Sequence, residues 1–423
     1  MPRYNKDRRV LTCGQIGRLQ TIDQQRVNAG ERHLFSVEGQ LRLSPLRRDM
    51  VFDAKVDVFA FYLPHRHIYG DQWMEFMRNG VDGGNLNLLP VSIPNPTHHF
   101  GIRHSTVLPL YCVAPYNRIW NYNFRFPTAD ADKKADTYLG STEDEREYGI
   151  ACGHLDNMWT AAIDQETDAT DRQVGVTNNK LDITDLAKQQ ARYSSEQKRA
   201  WYSDRYWEIM ESVYGTHVNK DAEPRPTLIH HEQGWMSGRD IDGMDQASLG
   251  NISGKSVANF SVRMKPFFAV EHGSVQFLVL VRFVPIHVSE HDYFDDNENV
   301  SYRRFVADPR IDVCEPPVTL EAGQIFVNSG SATNSLGTVP FGQWHRYQTN
   351  RTHPRFDQDI DGYPLLPNEK VMTRELCKYI TPSDYDRVFQ DDKLKHWNTR
   401  MIVRDICMSK EPDVTSSIFA GGK

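Results

Sequence analysis

Between residues 55 and 63 two apolar rows alternate, Val56, Val58, Ala60 and Tyr62 on one side and Phe59, Phe61 and Leu63 on the other. With both rows apolar, the segment predicts a strand covered on both faces. Pro64 has no N–H to offer a ladder, so the strand is expected to stop there. Beyond Gly70, the spacing of Trp73, Met74 and Met77 predicts one short helix ending near Gly80. Residues 57–73, DVFAFYLPHRHIYGDQW, therefore read as strand, turn and helix, and the rest of the chain is organised around them.

The same pattern predicts strands at 32–37 and 39–43, and a buried sandwich strand at 275–284, VQFLVLVRFV, the most hydrophobic segment of the chain. Further candidates are 325–328, 344–348, 371–380 and 401–407. Between 82 and 127 the prolines at 90, 94, 96, 109 and 115 predict an ordered, extended excursion without regular helix, pinned by its aromatics. A helical insertion is predicted at about 181–215. Ser194 and Gln197 have capping-box spacing there, and Tyr202, Tyr206, Ile209 and Val213 share one helical face. There is no fixed-period repeat and no alternation of strand and helix. Strands at both ends with a helical block between them imply an all-β sandwich with long insertions, one domain over 1–423 rather than two in tandem.

Composition adds the character of the surface. Of 423 residues 39% are hydrophobic, yet there are 8 Trp, 18 Tyr and 20 Phe, and mean hydropathy is −0.60. A modest core with many aromatic anchors suits a protein rich in interfaces. The net charge of −7 argues against a coat of positive charge but leaves room for a local basic patch. The basic arm at 1–20 is one such patch. Arg3, Lys6, Arg8, Arg9 and Arg18 face only Asp7 there, and Arg3, Lys6, Arg8 and Arg9 are the candidates for phosphate contact; the alternative is a solvated chain end. Six scattered cysteines without a CxxC pair read as reduced, mostly buried thiols. With no run of 18 apolar residues and no apolar signal core, the sequence predicts neither a membrane span nor export by a signal peptide.

Candidate chemistry is sparse. HVSEH at 287–291 matches the H-x-x-E-H zinc pattern, but it follows a strand and Pro285 and enters an acidic loop, so no helix aims both histidines at a metal. DQDIDG at 357–362 opens like a calcium loop, yet its twelfth position holds Asn368, and the acidic turn at 240–245 has still less of the pattern; both read as solvated turns. In HRH, His65 and His67 have no Cys or carboxylate at matching spacing and read as structural, as do His98, His99 and His104. No catalytic motif is present. The sequence thus nominates no catalytic residue, cofactor or metal. A zinc enzyme and a ligand- or carbohydrate-binding β-sandwich are the alternatives to a structural protein.

A resemblance narrows the choice. GQIGRL (14–19), LRLSPLRR (41–48), DVFAFYLPHRHIYGDQW (57–73), HLDNMWTA (154–161), DGMDQASLGNISG (242–254), FFAVEHG (267–273), LVRFVP (280–285), GQWHRY (342–347) and DYDRVFQ (384–390) occur in that order. Together they resemble the major capsid protein F family of the phiX-like Microviridae, small single-stranded DNA bacteriophages. The resemblance implies an eight-stranded antiparallel jelly-roll sandwich with long, partly helical insertion loops. It also implies a virion protein that assembles in the host bacterial cytoplasm, through pentamers, into a sixty-copy T=1 icosahedral shell around circular single-stranded DNA. The implied partners are a major spike protein, a small basic DNA-binding protein, and internal and external scaffolding proteins, with no membrane. Arg47 and Arg48 in LRLSPLRR would serve either an inner basic face or a subunit contact.

Overall fold

The structure, a computed structural model, describes residues 3–47, 52, 54–79, 91–92, 99–100, 107–125, 133–152, 216, 224–242, 252–295, 299–306, 318–327, 334–339, 341–346, 348–358, 360, 363–367, 370–372, 382–389 and 395–409. The chain begins with strands β1 (Arg3–Asn5), β2 (Arg8–Gly14), β3 (Leu19–Val27), β4 (Arg32–Leu43) and β5 (Ala54–Pro64). Helices α1 (His65–Tyr69) and α2 (Asp71–Asn79) follow, then the paired strands β6 (Val91–Ser92) and β7 (Val107–Leu108), and helices α3 (Leu110–Ile119) and α4 (Glu143–Tyr148). Sheet returns with β8 (Thr227–Asp242), β9 (Ile252–Arg263), β10 (Phe267–Phe268) and β11 (Gly273–Phe283). After the short strands β12 (Ile286–His287), β13 (Val318–Glu321), β14 (Ser335–Val339) and β15 (Leu365–Leu366) comes β16 (Trp397–Met408).

Ten strands make one antiparallel sheet in the order β1-β16-β4-β9-β8-β5-β11-β3, with β2 on β16 and β10 on β4. The sixteen-residue β8 belongs to both halves of it. Thr227 to Met236 pair with β5, and Ser237 to Asp242 pair with β9. The two halves share a single core: Phe35, Val37 and Leu41 of β4 with Met401 and Val403 of β16, against Val58 and Ala60 of β5 with Phe277 and Val279 of β11. Phe35 meets Phe277 edge-on at 5.3 Å. Alternation explains this, because β16 buries every second residue from Trp397 to Cys407 and exposes or half-exposes the others.

β5 is the strand covered on both faces. Its row Val56, Val58, Ala60 and Tyr62 enters the common core, whereas Phe59 and Phe61 pack outward against Tyr116, Ile119 and Trp120 of the α3 region, and Leu63 against Ile68 and Trp73. The strand ends at Pro64, as its missing N–H requires. That proline then starts α1 as its N-cap, so the turn is itself helical and two helices, not one, follow the strand.

The reading of 82–127 as free of helix is corrected by α3, which carries Pro115 inside it. Proline leaves the carbonyl four residues earlier without its helical donor. Here that carbonyl belongs to Tyr111, and Gln24 Nε2 of β3 donates to it at 2.6 Å. The neighbouring sheet thus satisfies the acceptor that the helix cannot. α3 is then held down by Tyr116, whose hydroxyl donates to Leu19 O (2.7 Å) and accepts from Ile150 N (2.8 Å). Gly149 is needed beside it: at φ +83° its backbone lies so close that a Cβ would sit 2.2 Å from Leu19 O.

Other boundaries shift as well. The segments predicted at 32–37 and 39–43 are one strand, because Gly39 lets β4 run unbroken against Met401. The predicted strand at 325–328 is replaced by β13 and β14 on either side of it, and that at 344–348 by a single turn of 3-10 helix, Gln343–His345. A satellite core, Tyr293, Leu320, Phe326, Leu336, Trp344 and Leu366, holds this C-terminal region together. The helical insertion at 181–215 and most of 371–380 lie outside the described residues.

Candidate assembly and nucleic-acid surface

The four basic residues singled out near the start of the chain fall on two different surfaces. β1 and β2 both pair with β16, so the N-terminal segment is sheet edge rather than a loose end. Arg3 stands opposite Met408 and Arg9 opposite Ile402, which places both on the outward face of the sheet. Lys6 and Arg8 lie instead along a cleft of about 860 Å³ floored by Tyr69, Trp73, Phe76 and Tyr111. Arg8 is committed there, with Nη1 2.5 Å from the buried Asp23 carboxylate. Arg18, fifth in the basic segment, is buried and donates to Gln15 Oε1 (2.8 Å) and Gly149 O (2.9 Å).

Register collects further arginines beside Arg3 and Arg9. On the outward face of β4, β9 and β16 stand Arg32, Arg42, Arg263, Arg400 and Arg404, all exposed. Asn259, Ser261, Asn398 and Gln40 lie between them, with Leu11, Leu34, Ile402 and Ile406 as apolar relief. The acid on that face, among the side chains described, is Glu38, which takes Arg404 at 3.3 Å. A polar, arginine-rich surface with little carboxylate to neutralise it favours a polyanion. Sequence reading missed Arg32, Arg42, Arg263, Arg400 and Arg404 because they sit in three segments far apart; their signal is a basic residue recurring at even spacing within each strand. Of the LRLSPLRR pair, Arg47 Nε donates to Phe389 O at 2.8 Å, and Arg48 is outside the described residues.

The remaining candidates are tied into the fold. His65 is packed against Trp73 (5.1 Å) and Tyr111 (5.4 Å), and burial, then His272 and Arg26, push its pKa down to about 4. His67 is likewise pushed down to about 4 by burial and by Arg66, against the pull of Glu271. His99 Nδ1 is 3.3 Å from Thr21 Oγ1, and His98 and His104 are outside the described residues. In HVSEH, His287 Nε2 lies 3.1 Å from Lys370 O, and the Glu290 carboxylate accepts from Asn350 N at 3.1 Å. These two side chains serve loop architecture. The acidic side chains of the turns at 240–245 and 357–362 lie outside those described. Cys13, Cys112, Cys152 and Cys407 are free thiols. No helix among the described residues is long and apolar enough to cross a membrane.

Comparison with known proteins decides what this surface belongs to. A family model described as capsid protein (F protein) matches residues 2–181 and 174–419. The chain belongs to the capsid protein F family. It is 35% identical to capsid protein F of Enterobacteria phage phiK over 398 residues, 92% of this chain and 91% of that protein. It is 33% identical to capsid protein F of Escherichia phage alpha3 over 421 residues, 97% and 95% of the two chains. With that of Escherichia phage G4 the identity is 33% over 395 residues, 92% and 90%. Membership of the capsid protein F family makes the role structural, that of a virion component which self-assembles, and not enzymatic.

Proposed function

We propose that this protein is the subunit of a T=1 icosahedral shell that encloses circular single-stranded DNA. Sixty copies assemble, by way of pentamers, in the host bacterial cytoplasm. The two sheet halves are those of an eight-stranded jelly roll, and the other strands and helices belong to insertions in a single domain. The partners are a major spike protein, a small basic DNA-binding protein, internal and external scaffolding proteins and the DNA itself. The observation that carries this reading is the family match, which runs from residue 2 to residue 419.

The surface supports it. Leu11, Trp235, Tyr302, Phe305 and Val327 are large apolar side chains left 80%, 55%, 83%, 56% and 69% exposed, as suits a chain that buries them against neighbouring copies. The arginine face offers phosphate contacts on a protein whose net charge is −7. Sedimentation of the protein co-expressed with its scaffolding partners tests the proposal. Pentamers and shells are expected; a monomer at every concentration overturns it.

A further inference from the structure

Where the two ends of the described chain meet, the core contains charge. Glu31, in the turn before β4, accepts from Asn28 N (2.8 Å) and Asn28 Nδ2 (3.2 Å). His33, at the start of β4, has a side chain with no exposed surface, stacked on Phe35 at 5.1 Å and 4°. Its Nδ1 lies 3.0 Å from both oxygens of Asp405 of β16, and its Nε2 lies 3.2 Å from Glu31 Oε2. Cys407, also fully buried, stands directly opposite His33 in the β4–β16 ladder. The ligating atoms of Glu31, His33 and Cys407 all lie within 4.8 Å of one another.

Carboxylate, imidazole and thiolate at such separations are the donors a zinc ion takes. Asp405 supplies the complement: a carboxylate on one ring nitrogen orients the other nitrogen toward a metal. A divalent ion held by the His33 imidazole, the Glu31 carboxylate and the Cys407 thiolate leaves Asp405 its hydrogen bond to Nδ1–H.

We propose that Glu31, His33 and Cys407 bind a structural Zn²⁺, with Asp405 holding the His33 ring and Asn28 Nδ2 holding Glu31 Oε1. Binding releases the Cys407 thiol proton, with any proton carried on His33 Nε2, to water and changes no oxidation state. The ion ties the turn before β4 to β16 and, through the pairing of Tyr4 with Cys407, to the short edge strand β1. It is a crosslink that needs no oxidant.

The probe is Co²⁺ added to the folded, metal-depleted protein. Expected is one equivalent bound, with a thiolate-to-cobalt charge-transfer band in the near ultraviolet that one equivalent of Zn²⁺ abolishes. The band should vanish in Cys407→Ser and persist in Cys13→Ser and Cys112→Ser, and Asp405→Asn should weaken binding by about 10- to 100-fold. Should the serine variant fail to fold, the wild-type titration decides alone. No charge-transfer band in folded wild type, or one that survives Cys407→Ser, overturns the proposal and leaves the His33 ring clamped between two carboxylates.

Discussion

At His65 the ring is only 7% exposed, and its pKa is lowered to about 4 from 6.5 by burial first and by His272 and Arg26 after it. Between those two values the unfolded chain binds a proton that the folded one does not. Stability therefore rises with pH across that window. It is fully present above about pH 6.5 and lost as pH falls toward 4, a loss of about 3 kcal/mol from this residue. Denaturant melts of wild type and His65→Gln from pH 7 to pH 4 check this. The slope should be shallower in the variant by about that amount, and an unchanged slope means the ring is not held neutral. The sequence reads His65 and His67 as structural, but the depth of His65's burial is illegible there because Tyr111 and His272, which close over it, come from distant segments.

Among the elements, α3 shows how a local rule was overridden. Proline density argued against helix at 82–127, and locally the argument holds, since Pro115 does deprive Tyr111 O of its donor. What the sequence hides is Gln24, eighty-seven positions away from Tyr111, whose amide fills the vacancy. Gln24→Ala should leave that half-buried carbonyl unpaired and cost about 1–3 kcal/mol, read as a lower urea midpoint at constant m-value. Pro115→Ala in the same background should recover part of the loss by restoring a helical donor, and no recovery would contradict the pairing. Strand β5 was legible by contrast, because a segment apolar on both rows has few options other than a strand covered on both sides. The joint role of β8 was not, as nothing in its composition marks the point where it leaves β5 for β9.

For the whole molecule, the capsid reading was legible in the order of many short blocks, whereas the arginine face needed the register. Arg400 and Arg404 are ordinary alternate residues of β16 until β4 and β9 bring Arg32, Arg42 and Arg263 alongside. If that face meets DNA, Arg400→Gln with Arg404→Gln should reduce the salt dependence of single-stranded DNA binding by about 0.7 in log–log slope for each phosphate no longer neutralised. Arg8→Gln should leave the slope unchanged, because Arg8 stands opposite the buried Val403, off this face, and its partner Asp23 is buried. Equal effects from both changes would mean that binding follows net charge and not this face. Electron microscopy of particles formed with scaffolding partners and single-stranded DNA tests shell assembly most directly. Closed icosahedral shells of sixty copies, with nucleic-acid density against the outward face of β4 and β16, are expected; dispersed monomers or open aggregates would contradict it.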